Sequence, residues 1–272
     1  MLAVTACYTF TTLNDKHALS KEKLSSSLYT FLMCSSMAVF LLPCLFFVDV
    51  RFDFSPEAFL GVLLMIGCKC AELFMCAAIL RVMSAFELKA WIGVTLFFSY
   101  ATDVLFGAEL SLVCLLFILI TVAGLSLIVR ADKKEKVPYK KIALPLVLFL
   151  ASKYGYGLVI RTFSSHASSS MLLLISLTVI SIILLPTIKI SEIKEKKRGS
   201  MMVALARIPN TAGMLAENTV ATVSLTSYSF IQPMILCTLF FIRIIKKEDH
   251  TPINVAGGIM CIIGLIGFQL FK

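Results

Sequence analysis

A few ionisable side chains of this sequence stand deep inside long apolar stretches. Lys69 and Glu72 lie within the run 58–80, and Lys153 lies within the run 142–162. A charge at the centre of a bilayer costs about 2.5 to 3.5 kcal/mol, so a charge that stays there needs a partner or a polar cavity. These residues could therefore lock helices together, bind a charged solute, or carry a proton through the membrane.

The local spacing of these residues suggests their contacts. Lys69 and Glu72 are predicted to pair, because residues three apart share one face of a helix. Two interpretations stay open: a structural lock, or a pair that releases one partner to a solute or proton during transport. Lys153 stands beside Tyr154 and Tyr156, and a cation among aromatic rings suits an anionic or aromatic ligand. Lys153 could instead extend to a lipid headgroup, although its distance from both ends of the run disfavours this.

A second polar group lies in the run 200–221, which contains Arg207-Ile208-Pro209-Asn210 and Glu217-Asn218. Proline removes a backbone donor, and a helix broken in this way often borders a transport site. The alternative is a plain kink in which Arg207 pairs with Glu217 or Glu72. With Lys16 and Gln232 added, the predicted substrate-binding set is Lys16, Lys69, Glu72, Lys153, Tyr154, Tyr156, Arg207, Asn210, Glu217, Asn218 and Gln232. Charges nearer the run ends are expected to meet headgroups or loops: Arg81, Glu87, Lys89, Asp103, Arg161 and Arg243.

Charge and motif content narrow the chemistry of this set. Its four cations outnumber Glu72 and Glu217, which favours a solute with a carboxylate or phosphate over a bare cation. The two glutamates are candidates for proton coupling, because they are the only carboxylates of the set. The sequence contains no HExxH, GxSxG or paired Asp-rich metal motif. We therefore expect no catalytic residue, no metal site, no cofactor and no enzymatic activity. A membrane-embedded enzyme or a channel is the alternative function.

The elements that hold these residues are predicted to be membrane-spanning helices. Of 272 residues, 59% are hydrophobic and 15% charged, and the mean hydropathy is +0.94, which exceeds that of soluble domains. A span needs about 20 apolar residues, and lipid offers the backbone no hydrogen-bond partner. The sequence thus predicts an all-α, polytopic membrane protein. Ten candidate spans lie at about 2–19, 27–48, 58–80, 86–107, 110–130, 142–162, 169–190, 200–221, 224–245 and 253–271.

The net charge of +9 lies mostly in the connections between these runs. Lys and Arg are abundant in 130–141, 189–198 and 246–247, whereas 49–57 is acidic. The positive-inside rule places the basic connections in the cytoplasm, so ten spans put both termini outside. Such scattered basic loops do not form a nucleic-acid patch. The expected location is the plasma membrane, and the expected partners are a small-molecule solute, the lipid bilayer and, as one arrangement, a second copy in a homodimer.

Two blocks of the sequence repeat the same order of landmarks. With a shift of 140 residues, Ser84 aligns with Ser224, Glu109 with Asp249, Ser111 with Thr251, and Gly124-Leu125 with Gly264-Leu265. With a shift of 143, Ser25-Ser26-Ser27 aligns with Ser168-Ser169-Ser170 and Pro43 with Pro186. Two copies of five spans cross the membrane in opposite senses, which is the inverted repeat of many secondary transporters. The predicted units are residues 1–132 and 142–272, joined by a basic linker at 133–141.

The repeated landmarks also resemble those of a known family. Glu109-Leu110-Ser111 precedes a helix with Gly124, and Asp249-His250-Thr251-Pro252 precedes one with Gly257, Gly258 and Gly264. Together with Ser229-Phe230-Ile231-Gln232-Pro233, read as a helix start, this pattern is similar to EamA-type transporters of the drug/metabolite transporter superfamily. The resemblance implies ten helices, a central cavity between the halves, and export or exchange of small metabolites. Gly93 replaces the expected Pro in the first half, and the predicted orientation is opposite to the family's usual one, which leaves the transport direction open.

Overall fold

The computed structural model describes residues 2–20, 22, 24–131, 139–245 and 252–272, and these residues are almost entirely helical. The all-α prediction is therefore confirmed. In these ranges the helices are α1 (Leu2–Ser20), α2 (Ser26–Cys44), α3 (Pro56–Leu80), α4 (Ala85–Ile92), α5 (Thr95–Leu105), α6 (Leu112–Ala131), α7 (Tyr139–Phe163), α8 (Ser169–Leu184), α9 (Ile190–Glu195), α10 (Lys197–Leu205), α11 (Arg207–Val223), α12 (Leu225–Ile245) and α13 (Pro252–Phe271). A 3-10 turn at Leu185–Thr187 follows α8.

Seven of the described helices are long and apolar enough to cross a membrane, namely α2, α3, α6, α7, α8, α12 and α13. Large apolar side chains such as Leu63, Leu112, Leu144 and Val223 are exposed on them or on neighbouring helices, where lipid would cover them. The chain is therefore an integral multi-pass membrane protein. Two of the ten predicted spans are each divided between two shorter helices, 86–107 between α4 and α5, and 200–221 between α10 and α11.

Serine side chains begin several of these helices. The hydroxyls of Ser25 and Ser168 accept hydrogen bonds from the backbone N–H of Leu28 and Met171, at 3.2 and 3.4 Å. Each hydroxyl satisfies an N–H group that lacks a partner in the first helical turn. The two serine triplets of the sequence thus open α2 and α8 in the same way.

Other sequence landmarks fit the structure less closely. Pro233 lies inside α12 and not at a helix start, since α12 already begins at Leu225. Helix α7 begins at Tyr139, within the predicted linker 133–141. Asp249 and Thr251 lie outside the described residues, as do most of the basic residues of the linker.

Among the described helices, α6 and α13 form the most extensive contact, and their backbones approach each other at glycines. A Cβ added to Gly124 would lie 2.7 Å from the Gly257 carbonyl oxygen, and a Cβ added to Gly257 would lie 2.7 Å from the Gly124 carbonyl oxygen. Both distances are too short for a side chain, so these positions allow the two backbones to touch.

Most of the other extensive contacts between described helices join the first five predicted spans to the last five. Helix α2 packs on α8, α3 on α7 and α8, α1 on α11 and α12, and α12 on α4 and α5. Helices from both ends of the chain therefore surround a common interior.

Candidate functional site

A polar cavity lies in this interior between helices from both ends of the chain. Its volume is about 100 Å³, whereas a single water needs roughly 10–15 Å³ on the same measure. The cavity therefore has room for several waters or one small solute. Its charged and aromatic lining consists of Tyr8, Asp15, Tyr29, Lys69, Glu72, Lys89, Phe149, Lys153, Arg207 and Glu217.

One wall of the cavity is a chain of alternating charges. Lys69 Nζ lies 2.8 Å from Glu72 Oε2, which confirms the predicted pair. Lys153 Nζ lies 3.4 Å from Glu72 Oε1 and 3.2 Å from Glu217 Oε1. The Tyr8 hydroxyl donates a hydrogen bond to the other Glu217 oxygen. Four helices, α1, α3, α7 and α11, thus contribute to one buried network in which each carboxylate contacts at least one cation.

Tyrosine rings support the cations of this network. Lys69 Nζ lies 3.7 Å from the centre of the Tyr156 ring, which attracts a cation through its π face. The Tyr156 hydroxyl donates to Asn218 Oδ1, and the Tyr228 hydroxyl donates to the Lys153 carbonyl oxygen at 3.0 Å. These contacts fix the ring positions, because each hydroxyl is hydrogen-bonded to a helix other than the one that carries its ring.

Another part of the cavity lining lies around the break between α10 and α11. Arg207 is fully buried and donates to Asp15 on α1, so the alternative that paired it with Glu217 or Glu72 is wrong. Arg207 Nε also donates to the Val203 carbonyl oxygen at 3.0 Å, near the end of α10 where helix carbonyls lose their own partners. The predicted break at Arg207-Ile208-Pro209-Asn210 is confirmed, and the arginine that follows the break is part of the cavity wall.

Lys89 occupies the remaining side of the cavity, on the short helix α4. Its Nζ donates to Gln232 Oε1 on α12 at 2.8 Å. We expected Lys89 to meet a headgroup or loop because it lies near the start of a run, and this expectation is wrong. The run is divided at Gly93, and the last turns of α4, which contain Lys89, line the cavity.

The structure brings most of the predicted binding residues together. Lys69, Glu72, Lys153, Arg207, Asn210, Glu217 and Gln232 line the cavity, with Tyr156 and Asn218 directly behind them. Tyr154 lies elsewhere, hydrogen-bonded to Thr102 and packed against Phe98. The Tyr154 side chain points away from the cavity because Tyr154 and Tyr156 are two positions apart, and residues at this spacing face different sides of a helix. The side chain of Lys16 lies outside the described residues.

Sequence reasoning missed the lining residues Tyr8, Asp15, Tyr29 and Lys89, and also Tyr228, which lies next to Lys153. One signal could have found two of them. Tyr8 and Asp15 are seven residues apart, which is two helical turns and hence one face of α1. The tyrosines of the other helices carry no such signal, because a single tyrosine in an apolar run is usually core.

Asp103 and Arg161 form a second polar cluster, away from the cavity, at the start of α12. Arg161 donates to Asp103, whose oxygens also accept from the backbone N–H groups of Leu225 and Thr226, both at 2.9 Å. A carboxylate is favoured at the positive end of a helix. The pair therefore connects the ends of α5, α7 and α12.

Two loop contacts lie at the ends of the helices. In one, Ser168 N donates to the Arg51 carbonyl oxygen at 2.8 Å, and His166 Nδ1 lies 2.9 Å from Asp53 Oδ2. Hydrogen bonds from Ser55, with His166 close by, lower the pKa of the Asp53 carboxyl to about 2. In the other contact, both the N–H and the hydroxyl of Ser25 donate to Glu192, each at 2.8 Å.

Comparison with known proteins adds no assignment to this geometry. No protein-family model matches the chain, and no curated protein is detectably similar to it.

Proposed function

We propose that this chain is a secondary transporter that moves a small metabolite across the plasma membrane by alternating access. The observation that carries this proposal is the buried charge network around the cavity. Its ions come from helices on both sides of the predicted midpoint, and they would be costly to keep in lipid without a function.

Counting crossings between loops that touch supports ten spans. Arg51 and Ser168 lie in contact, so an even number of crossings must separate them. Three apolar helices, α3, α6 and α7, lie between them, and the pair α4–α5 would supply the fourth crossing. The contact of Asp103 with Leu225 likewise requires an even number of crossings between these two residues. Three apolar helices, α6, α7 and α8, lie between them, and the pair α10–α11 would supply the fourth crossing.

Helix α1 would provide the tenth crossing. Asp15 contacts Arg207 near the start of α11, and Tyr8 contacts Glu217 further along the same helix. The two helices therefore run side by side in opposite directions over at least two turns. Helix α1 has 19 residues, which at 1.5 Å per residue is about the thickness of a bilayer core.

The helix positions support an inverted repeat with EamA-like organisation. Helices α2 and α8 begin 143 residues apart, and α4 and α12, like α6 and α13, begin 140 residues apart. Ser84 and Ser224, also 140 apart, each accept from the N–H three residues later. The packing is reciprocal as well, because α3 packs on α7 as the corresponding α11 packs on α1. Five crossings in each half would give the halves opposite orientations.

Alternating access needs a closure on each face of the membrane. The Arg51–Ser168 contact, with the Asp53–His166 pair, would close one face, and the Ser25–Glu192 contact would close the other. Lys and Arg are abundant around Glu192, which favours this face as cytoplasmic. During transport the solute would enter when one closure opens, contact the cavity ions, and leave when the other opens. Glu72 and Glu217 are the carboxylates of the network that could bind a coupled proton.

Counterflow in liposomes tests this proposal. Purified full-length protein is reconstituted, and the liposomes are loaded in turn with unlabelled amino acids, organic acids and quaternary amines before the labelled compound is added outside. We expect saturable counterflow of at least one class. The charge-balanced double variant Lys153→Met/Glu217→Gln should abolish it, whereas Lys141→Met, at an exposed lysine, should not.

Two results would contradict the transporter. A non-saturating flux with measurable conductance would indicate a channel. Absence of any counterflow across the metabolite classes, with correctly folded and inserted protein, would remove the proposal altogether.

A further inference from the structure

The described ionisable groups that line the cavity do not balance. Four are cations, Lys69, Lys89, Lys153 and Arg207, and three are carboxylates, Asp15, Glu72 and Glu217. Each carboxylate lies within 4.0 Å of at least one cation. Counted by formal charge, the described lining thus has one surplus positive charge, and an uncompensated ion is costly in a region of low dielectric constant.

The surplus charge belongs to Lys89. Among the side chains that the structure describes, Lys89 has no carboxylate oxygen within salt-bridge distance, whereas the other three cations of the lining each have one. Its hydrogen-bond partner is the neutral amide oxygen of Gln232, at 2.8 Å. Gln232 is almost fully buried, and Lys89 is half-buried in the cavity wall.

The donors at this position suit a carboxylate. An ammonium group has three N–H donors, of which the Gln232 oxygen uses one, and the Gln232 amide carries two further donors. A carboxylate has two oxygens that each accept hydrogen bonds, and a bond to a charged donor is stronger than one between neutral groups. The lysine and the amide can therefore hold both oxygens of one acid group.

We propose that Lys89 and Gln232 form the binding subsite for the carboxylate of a small monoanionic solute, an inference that rests on the cavity being the transport site proposed above. The solute would restore neutrality when it binds. A dianion would bring an excess negative charge beside Asp15, Glu72 and Glu217, and a cation would add to the existing surplus. The cavity volume of about 100 Å³, which has room for several waters, favours a small solute.

Acid and amide pairs of the same shape test this assignment. The purified full-length protein is titrated with acetate and acetamide, glycolate and glycolamide, and lactate and lactamide at constant ionic strength, and binding is followed by the thermal unfolding midpoint. We expect at least one acid to bind more tightly than its amide. In Lys89→Met that acid should bind roughly ten- to hundredfold more weakly, the effect of losing a hydrogen bond to a charged group.

Two further variants complete the design. Lys89→Arg keeps the charge and should retain the preference for the acid, and Lys140→Met, at an exposed lysine of α7, should leave it unchanged. Gln232→Glu places an internal carboxylate against Lys89, and this carboxylate should weaken binding of the acid at least as much as Lys89→Met does. This variant keeps the test valid even if Lys89→Met fails to fold.

The outcomes separate this inference from the proposed function. If no acid exceeds its amide in the parent protein, or if Lys89→Met and Gln232→Glu leave the preference intact, the subsite is wrong. Saturable counterflow of a cation that is unchanged in Lys89→Met would contradict the subsite but support the proposed transport function. Binding of an acid that depends on Lys89, without counterflow of that acid in liposomes, would support the subsite and contradict transport.

Discussion

At the scale of single residues, the cavity is held by ions that depend on each other. Lys153 touches two carboxylates, and Glu217 is fully buried with only Lys153 and Tyr8 as described polar partners. Removing one member of a buried pair leaves the other uncompensated, at a cost of about 3–5 kcal/mol. The loss of Lys153 should therefore destabilise the protein more than a charge count alone suggests.

A double-mutant cycle measures this dependence. Lys153→Met should lower the free energy of unfolding by about 3–5 kcal/mol, because Glu217 stays buried without a cation. Adding Glu217→Gln removes the stranded charge, so the double variant should be more stable than the sum of the single variants predicts, by about 0.5–3 kcal/mol. Unfolding in one detergent gives all four values, with Lys141→Met as the exposed control. Strictly additive effects would mean that the two side chains do not interact.

The residue contacts differ in how far sequence could predict them. Lys69 with Glu72 was predictable because three positions along a helix fix the pair locally. Arg207 with Asp15 was not, since the two are 192 positions apart and several carboxylates offered the same chemistry. Lys89 was misplaced for a related reason: its depth depends on where the helix ends, and hydrophobicity alone did not reveal the division of that run at Gly93.

At the scale of helices, glycine determines how closely α6 and α13 approach. The two helices meet backbone to backbone at Gly124 and Gly257, and neither position has space for a methyl group. Without a hydrophobic driving force between spans in lipid, such close packing is a main source of helix association. The α6–α13 contact should therefore be sensitive to the smallest side chain.

Matched glycine substitutions test this contact. Gly257→Ala should destabilise the protein by about 1–3 kcal/mol, because a Cβ there would overlap the Gly124 carbonyl oxygen. Gly67 offers the control, since it lies inside α3 with nothing within 4 Å of an added Cβ. Gly67→Ala should change stability little, or raise it by up to about 1 kcal/mol through helix propensity. Equal unfolding midpoints for the two variants would contradict close packing at Gly257.

At the scale of the whole molecule, the membrane crossings remain the central prediction. Length and hydropathy identify seven spans, because a broken or polar helix falls short of the apolar length that defines a span. The other three predicted spans lie in shorter or more polar apolar runs, and the repeat, whose serine caps recur at fixed intervals, supports them. The contacts between distant loops supply the physical condition that hydropathy lacks.

Reporter fusions can count the crossings directly. Fusions of an export-dependent reporter enzyme after residue 82 and after residue 108 should fall on opposite sides of the membrane if α4–α5 crosses. Fusions after residues 196 and 224 should likewise differ if α10–α11 crosses, with the site after 196 in the cytoplasm. Equal reporter activity within either pair would contradict the ten-span arrangement, and a fusion after residue 22 serves as the cytoplasmic reference.

The contact of α6 with α13 has a consequence for motion between the halves. No described residue of these helices lines the cavity, and their backbones are in direct contact, so one helix has little room to slide along the other. The pair would then act as the pivot of the molecule, and a slight rocking about it would become a wide displacement at the distant loops. A covalent tether between α6 and α13 should consequently spare solute turnover, whereas a tether across either loop contact should arrest it.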